Sequence, residues 1–262
     1  MPSRSLHRAF GFTATLGLCA CGGPDNTYLL DFVYGSHTAL VTPDDSIDQA
    51  PTFVSYDGLF FKVETLTFRL ADLRMDLPTE VRCEDAEEVL SPAMSCQDSV
   101  AGSPGVLHLQ GPVEVGTGKR LSVGGEQVFI PRVYYPGIDT RWDPGTPERP
   151  SFQLRARFTY QGRPRVLEFA FQSDAPMRFE YRGIPIGLPK EFSDHPAAFG
   201  GRLDMDGWLR DTDILSCLEA GDLTLDGDVL RLETGRNTCA DVATQLRLDI
   251  ERSGDLFTGL RL

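Results

Sequence analysis

Lysine is almost missing from this chain. Of its 25 basic residues only Lys62, Lys119 and Lys190 are Lys, set against 38 acidic residues, which gives a formal charge of −13 and a pI near 4.7. An Arg-for-Lys bias of this kind reads as the codon usage of a GC-rich genome. The charge has the wrong sign for gripping a phosphate backbone, so nucleic acid is excluded as a partner. No run of 18 apolar residues occurs, which excludes a spanning helix. The sequence also lacks G-x-S-x-G, H-E-x-x-H, a Walker A loop and G-x-G-x-x-G, leaving motif-borne hydrolase, zinc-protease and nucleotide-binding readings without local support. Histidine is scarce: His37, His108 and His195 are each isolated beyond the N-terminal segment. A lone His is more often a solvated or hydrogen-bonded residue than a ligand.

What the chain has is alternation. Its 262 residues, 41% of them hydrophobic, suffice for one large or two small domains. Phe152, Leu154, Ala156, Phe158 and Tyr160 alternate with Gln153, Arg155, Arg157 and Thr159, the period of a half-buried strand. After the turn signal Gln161-Gly162-Arg163-Pro164, Leu167, Phe169 and Phe171 resume that period, so a β-hairpin is expected. Met177, Phe179 and Tyr181 repeat it, and Asp226-Gly227 marks a further turn. In the first half the candidate strands are Tyr28–Tyr34, Leu59–Val63, Leu66–Leu70, Leu73–Leu77, Val106–Leu109, Val113–Val115 and Gln127–Tyr135. The apolar phase slips between Val63 and Leu66 and again between Leu70 and Leu73, which predicts bulges or a change of sheet. Forty-four Gly and Pro residues fall mostly between these runs. The expected fold is all-β, a β-sandwich of mostly antiparallel short strands over residues 27–262. Ala240–Glu251 reads either as one short C-terminal helix or as a strand. Asp143–Pro150 is the most linker-like interior stretch, a subdomain break or a crossover within one sandwich.

The N-terminus reads as an export signal, with Arg4, His7 and Arg8 ahead of the ten-residue apolar run Ala9–Leu18. Leu18-Cys19-Ala20-Cys21-Gly22-Gly23 then resembles the lipobox of bacterial lipoproteins, and Cys21, not Cys19, fits its cysteine. That resemblance implies cleavage after Ala20, acyl chains on Cys21 and its new amino group, and a short tether over residues 21–26. With Gly22 after the cysteine it also implies the outer membrane of a Gram-negative cell envelope. Loss of residues 1–20 removes two Arg and no acid, leaving 23 basic and 38 acidic residues and a charge of −15. Such a body is repelled by anionic headgroups, so the lipid bilayer is held through acylated Cys21 and not through a basic patch. Cys83, Cys96, Cys217 and Cys239 remain, an even set suited to an oxidising compartment. Pairing Cys83 with Cys96 and Cys217 with Cys239 closes the shortest loops, at about 3 kcal/mol each. No C-x-x-C spacing supports a metal site in their place.

Gly58–Leu73, Gly105–Leu109, Val128–Pro131 with Tyr134-Tyr135, the hairpin Phe152–Phe171 and Gly207-Trp208-Leu209 carry a further resemblance. Their order is similar to a group of β-sandwich lipoproteins common in myxobacteria, with a carbohydrate-binding-like, transthyretin-like domain of unknown function. The resemblance implies a sandwich on a lipid anchor and brings no catalytic residue. A more distant likeness is to periplasmic copper-binding proteins, whose His-rich pattern this chain lacks.

Two stretches carry candidate chemistry. In Tyr134–Asp143 aromatics sit among Asp and Arg in a Pro/Gly-marked loop, and Tyr134, Tyr135, Asp139, Arg141 and Trp142 suit a glycan or peptide; the alternative is that Tyr135 and Trp142 close the core. In Asp204–Asp213 the carboxylates of Asp204, Asp206, Asp211 and Asp213 offer hard oxygens of the kind calcium takes, although Gly207 misses the EF-hand register and turn chemistry explains the run equally well. The functional expectation is a membrane-anchored cell-envelope lipoprotein acting as a non-enzymatic binding or structural module, without cofactor, for a glycan or an envelope protein. The alternatives are periplasmic calcium or copper handling and, last, a glycosidase or esterase built from dispersed carboxylates.

Overall fold

The computed structural model describes residues 26–36, 39–41, 50–98, 104–117, 119, 121–181 and 197–260. The signal segment, Cys21, His37 and His195 lie outside them. Two mixed β-sheets share one hydrophobic core, so the all-β reading holds. The seven-stranded sheet is built on β4 (Phe60–Leu70), β13 (Phe152–Tyr160) and β14 (Arg163–Phe171). It runs β17 (Leu225–Asp226), β18 (Val229–Arg231), β14, β13, β4, β3 (Thr52–Val54), with β8 (Val113–Gly116) also paired to β4. In the ten-stranded sheet β1 (Thr27–Ser36) lies parallel to β16 (Ala197–Asp204), itself antiparallel to β19 (Gly254–Leu260). Beyond β19 come β15 (Pro176–Glu180), β12 (Gly137–Arg141), β5 (Leu73–Asp76), β7 (Val106–Leu109) and β6 (Met94–Gln97). On the other side of β1 lie β11 (Phe129–Pro131) and β2 (Ala39–Val41). A small hairpin, β9 (Ser122–Val123) with β10 (Glu126–Gln127), stands apart.

The hairpin β13–β14 is in the register its alternation predicts, from Phe152 opposite Phe171 to Tyr160 opposite Arg163. Gln161 (φ 51°) and Gly162 (φ 70°) form its two-residue turn, the geometry that matches strand twist. Both phase slips have structural causes. Between Val63 and Leu66 the register against β13 shifts, leaving Glu64 unmatched in a bulge, so the inward set is Phe61 and Val63, then Leu66, Phe68 and Leu70. Thr117 fills the irregularity: its Oγ1 accepts from the Leu66 N–H at 3.0 Å and pairs with the Tyr34 hydroxyl at 2.7 Å, stitching one sheet to the other. Between Leu70 and Leu73 the chain leaves the seven-stranded sheet for the ten-stranded one. Asp143–Pro150 joins β12 to β13 and is thus a crossover between the two sheets. It is held by Asp143, which Arg69 of β4 binds through Nε (2.8 Å) and Nη2 (2.6 Å).

Three short α-helices complete the described residues. Val242, Leu246 and Ile250 are buried at a spacing of four, and this stripe settles Ala240–Glu251 as helix α3 (Val242–Glu251). Helix α1 (Cys83–Glu87) begins at Cys83, and the edge strand β6 carries Cys96. Helix α2 (Ile214–Ala220) ends on Gly221 in the left-handed region (φ 74°), whose N–H reaches the carbonyls of Cys217 and Leu218. The disulfides are Cys83–Cys96 and Cys217–Cys239, the pairing expected from the short loops.

Strand β16 owes its place to two glycines. A Cβ on Gly201 would stand 2.6 Å from ring atoms of both Phe32 and Phe179. Because none is there, those two rings meet across the strand at 5.2 Å in an edge-to-face contact. A Cβ on Gly200 would overlap the backbone carbonyl of Asp31 on β1.

Candidate functional site

Neither stretch singled out from the sequence forms a complete site. Tyr135 and Trp142 are fully buried, in contact with Phe199 (5.0 Å) and Phe171 (5.5 Å), and offer no face to a ligand. Burial raises the Tyr135 phenol far above its ordinary pKa, and its hydroxyl donates to the Pro131 carbonyl at 2.9 Å. Asp139 accepts from Arg178 of the neighbouring β15 at 2.8 Å, a cross-strand pair, and Arg141 is exposed at the end of β12. Tyr134 alone of the aromatics faces solvent, 62% exposed. The run Asp204–Asp213 likewise disperses. Asp204 is buried and its Oδ1 accepts from the Asp206 N–H, capping a 3-10 turn over Met205–Gly207, while Asp211 and Asp213 are exposed. Among the described residues no three His, Cys, Asp or Glu side chains are placed to share a metal ion. Among the described residues the run is therefore not gathered into a cation site, and the Asp204 carboxylate serves a turn of its own backbone.

The structure instead presents a cleft at the tip of the β3–β4 hairpin. Thr52, Lys62 and Arg157 lie side by side on three adjacent strands, since Lys62 is opposite both Thr52 and Arg157 in register. Gly58, Leu59, Phe60, Phe158 and Thr159 complete a cleft of about 460 Å³. Phe60 (65% exposed) is part of its lining, and Tyr56 (74% exposed) and Val54 are exposed on the same hairpin. Exposed apolar side chains are costly to leave in water without a use, and three of them, two aromatic, on one hairpin form a patch.

That tip is held rigidly. The backbone N–H of Ser55 bonds to the Leu59 carbonyl (3.0 Å), the Leu59 N–H to Ser55 Oγ (3.1 Å), and Gly58 takes φ +84° to close the loop. The Tyr56 N–H reaches the carbonyls of Leu209 and Thr212 at 3.1 and 3.0 Å. Asp57 then accepts from the Ser216 N–H at 2.8 Å, in the first turn of α2, where the side chain of the helix's own leading residue, Asp213, makes no capping bond. Asp57 is thus an N-cap supplied from a distant hairpin, and it locks the cleft's rim to the helix.

The charges around the cleft divide into spent and available. Glu64 pairs with both Arg155 (3.0 Å) and Arg157; Arg155 pairs in turn with Glu168, Glu168 with Arg231 (3.2 Å), and Arg231 with Asp226 (2.9 Å). This chain of ion pairs crosses the solvent face of the seven-stranded sheet from β4 to β17. Lys62 stands beside it with no carboxylate partner among the described residues. A second cluster, Glu114 with Lys119 (2.7 Å) and Arg149 (3.0 Å), lies on β8, and hydrogen bonds from Lys119 and then Arg149 hold the Glu114 carboxyl below its ordinary pKa.

The sequence reading passed over this site. Val54 and Phe60 flank Tyr56-Asp57-Gly58, an Asp-Gly turn between apolar residues, and that was the available signal for a hairpin with aromatics at its tip. No protein-family model, no curated protein and no solved structure matches this chain.

Proposed function

We propose that the protein is a lipid-anchored cell-envelope lipoprotein whose sandwich binds an acidic glycan in the β3–β4 cleft, without catalysis. Cys21 in its lipobox-like setting supports the anchor, and two closed disulfides suit an oxidising compartment. The cleft carries the binding assignment: an exposed ring, Phe60, lies two residues from Lys62, a cation with no carboxylate partner among the described residues, on the same strand face, with Arg157 and the hydroxyls of Thr52 and Thr159 beside it. A ring face takes the C–H side of a sugar, while an ammonium takes its carboxylate. The body's charge of −15 does not forbid this ligand, because at physiological salt the screening length is about 8 Å and the nearest groups dominate.

Titration calorimetry with a tetragalacturonate, and with maltotetraose as a neutral control, tests the assignment. The wild-type protein binds the uronate and not the neutral sugar, and Phe60→Ala with Lys62→Gln weakens binding at least tenfold. Equal affinity of the double variant, or no uptake of either oligosaccharide by the wild type, contradicts it.

A further inference from the structure

The opposite end of the molecule carries a second patch. β1 enters the fold at Thr27, and Asn26 just before it is fixed by its carbonyl, which accepts from the Arg132 N–H at 2.9 Å. Around that point stand three tyrosines. The Arg132 guanidinium lies 5.6 Å from the Tyr28 ring, Tyr28 is 5.9 Å from Phe199, and the exposed Tyr134 stacks on the half-buried Tyr181 at 6.4 Å with an interplanar angle of 14°. The β3–β4 tip belongs to the other end, because β1 and β16 run parallel from Leu29 beside Ala198 to Gly35 beside Asp204, and Leu209, to which Tyr56 is bonded, follows shortly after. Seven residues of strand separate Tyr28 from Gly35, about 23 Å.

We propose that the Tyr28–Tyr134–Tyr181–Arg132 patch is the surface on which the domain rests against the headgroup layer of its membrane, with the cleft facing away. The proposal rests on the lipid-anchor reading above. Its argument is the length of the tether: Cys21 to Asn26 is five residues, which span at most about 17 Å when fully extended. A body on so short a leash touches the bilayer with the surface around its attachment point. Tyrosine suits that layer, with an apolar ring and a polar hydroxyl, and it is the residue type enriched there in membrane proteins. Arg132 adds a bidentate donor for a lipid phosphate, which matters in a body whose net charge is repelled by anionic lipid. The occupant fitted by this chemistry is a phospholipid surface.

The test uses the full, membrane-processed chain in phosphatidylethanolamine vesicles containing one quarter phosphatidylglycerol. A nitroxide is placed by Pro136→Cys, an exposed position beside the patch, or by Arg210→Cys, an exposed position at the far end, with both disulfides intact. The measured quantity is the ratio of oxygen to nickel-chelate accessibility. The proposal requires a ratio at least threefold higher at position 136 than at 210, and its return to the aqueous value when Arg132→Ser and Tyr134→Ser are added. Equal, aqueous ratios at both positions in protein that floats with the vesicles overturn the docking face and leave the anchor standing. Protein that does not float with the vesicles overturns the anchor itself, and this proposal with it.

Discussion

Gly200→Ala strongly destabilises the domain. In β16 this residue lies beside Asp31 of β1, so close that an added Cβ overlaps the Asp31 carbonyl. The obstacle is backbone, which has no rotamer to change, and moving it breaks the parallel ladder that runs from Leu29–Ala198 to Gly35–Asp204. Both strands of that ladder are paired on their other side as well, so the loss spreads to β19 and β11. The expected cost is about 4 kcal/mol or more, the size found when strain and lost packing combine. Against a typical total of about 5–15 kcal/mol it removes a large share of the stability, and most of it in a marginal domain. Gly201→Ala is milder: its Cβ meets the rings of Phe32 and Phe179 at 2.6 Å, side chains that shift at about 1–3 kcal/mol. Urea unfolding of the Gly201→Ala variant and soluble yield of the Gly200→Ala variant check the pair. A Gly200→Ala protein of near wild-type stability contradicts the register of β1 against β16.

Reduction of both disulfides lowers stability by about 6 kcal/mol. Cys83–Cys96 closes a loop of 13 residues and Cys217–Cys239 one of 22, and loop-closure entropy assigns each about 3 kcal/mol. Their places in the fold differ, so their losses do as well. Cys96 lies on β6, at the end of the ten-stranded sheet, and Cys83→Ser with Cys96→Ser frees only α1 and that edge. Cys217 lies in α2, whose first turn Asp57 caps, and Cys239 in the turn leading to α3. Loss of the second bridge therefore loosens the rim of the cleft as well as the C-terminal helices. Thermal unfolding with and without reductant checks the total, and the two paired Cys→Ser variants apportion it. Glycan affinity should fall in the Cys217→Ser, Cys239→Ser variant and stay unchanged in the other. An unchanged melting temperature in reductant contradicts the assignment.

How much of this was readable in the sequence follows from which interactions are local. The β13–β14 hairpin shows itself because each residue alternates with its neighbour and the turn lies between the strands. The slips near Val63 and Leu70 show where a run is interrupted, although only the structure separates a bulge from a change of sheet. The disulfides follow from short spacing in the same way. β16 was not legible, since Gly200 and Gly201 lower its strand propensity and its partner β1 lies more than 160 residues away. The aromatic loop illustrates the same limit. Tyr134, Tyr135 and Trp142 look alike in a list of aromatics beside charged residues, yet only Tyr134 of the three reaches solvent, because the hydroxyl bond of Tyr135 to the Pro131 carbonyl and the bridge between Trp142 and Leu70 hold the others inward. The cleft is assembled from β3, β4 and β13, so Lys62 and Arg157 meet only through a pairing 95 residues apart in sequence. A single hairpin signal at Asp57-Gly58 is all that points to it locally.

The proposed lipid anchor would set the compartment, the orientation and the end of the molecule that meets solvent. Intact mass spectrometry of the protein extracted in detergent from its native membranes tests it most directly. The account predicts a chain that begins at Cys21 and carries a diacylglyceryl group and an amide-linked acyl chain, with two disulfides closed. A mature chain that begins elsewhere, or one whose Cys21 carries no lipid, contradicts it.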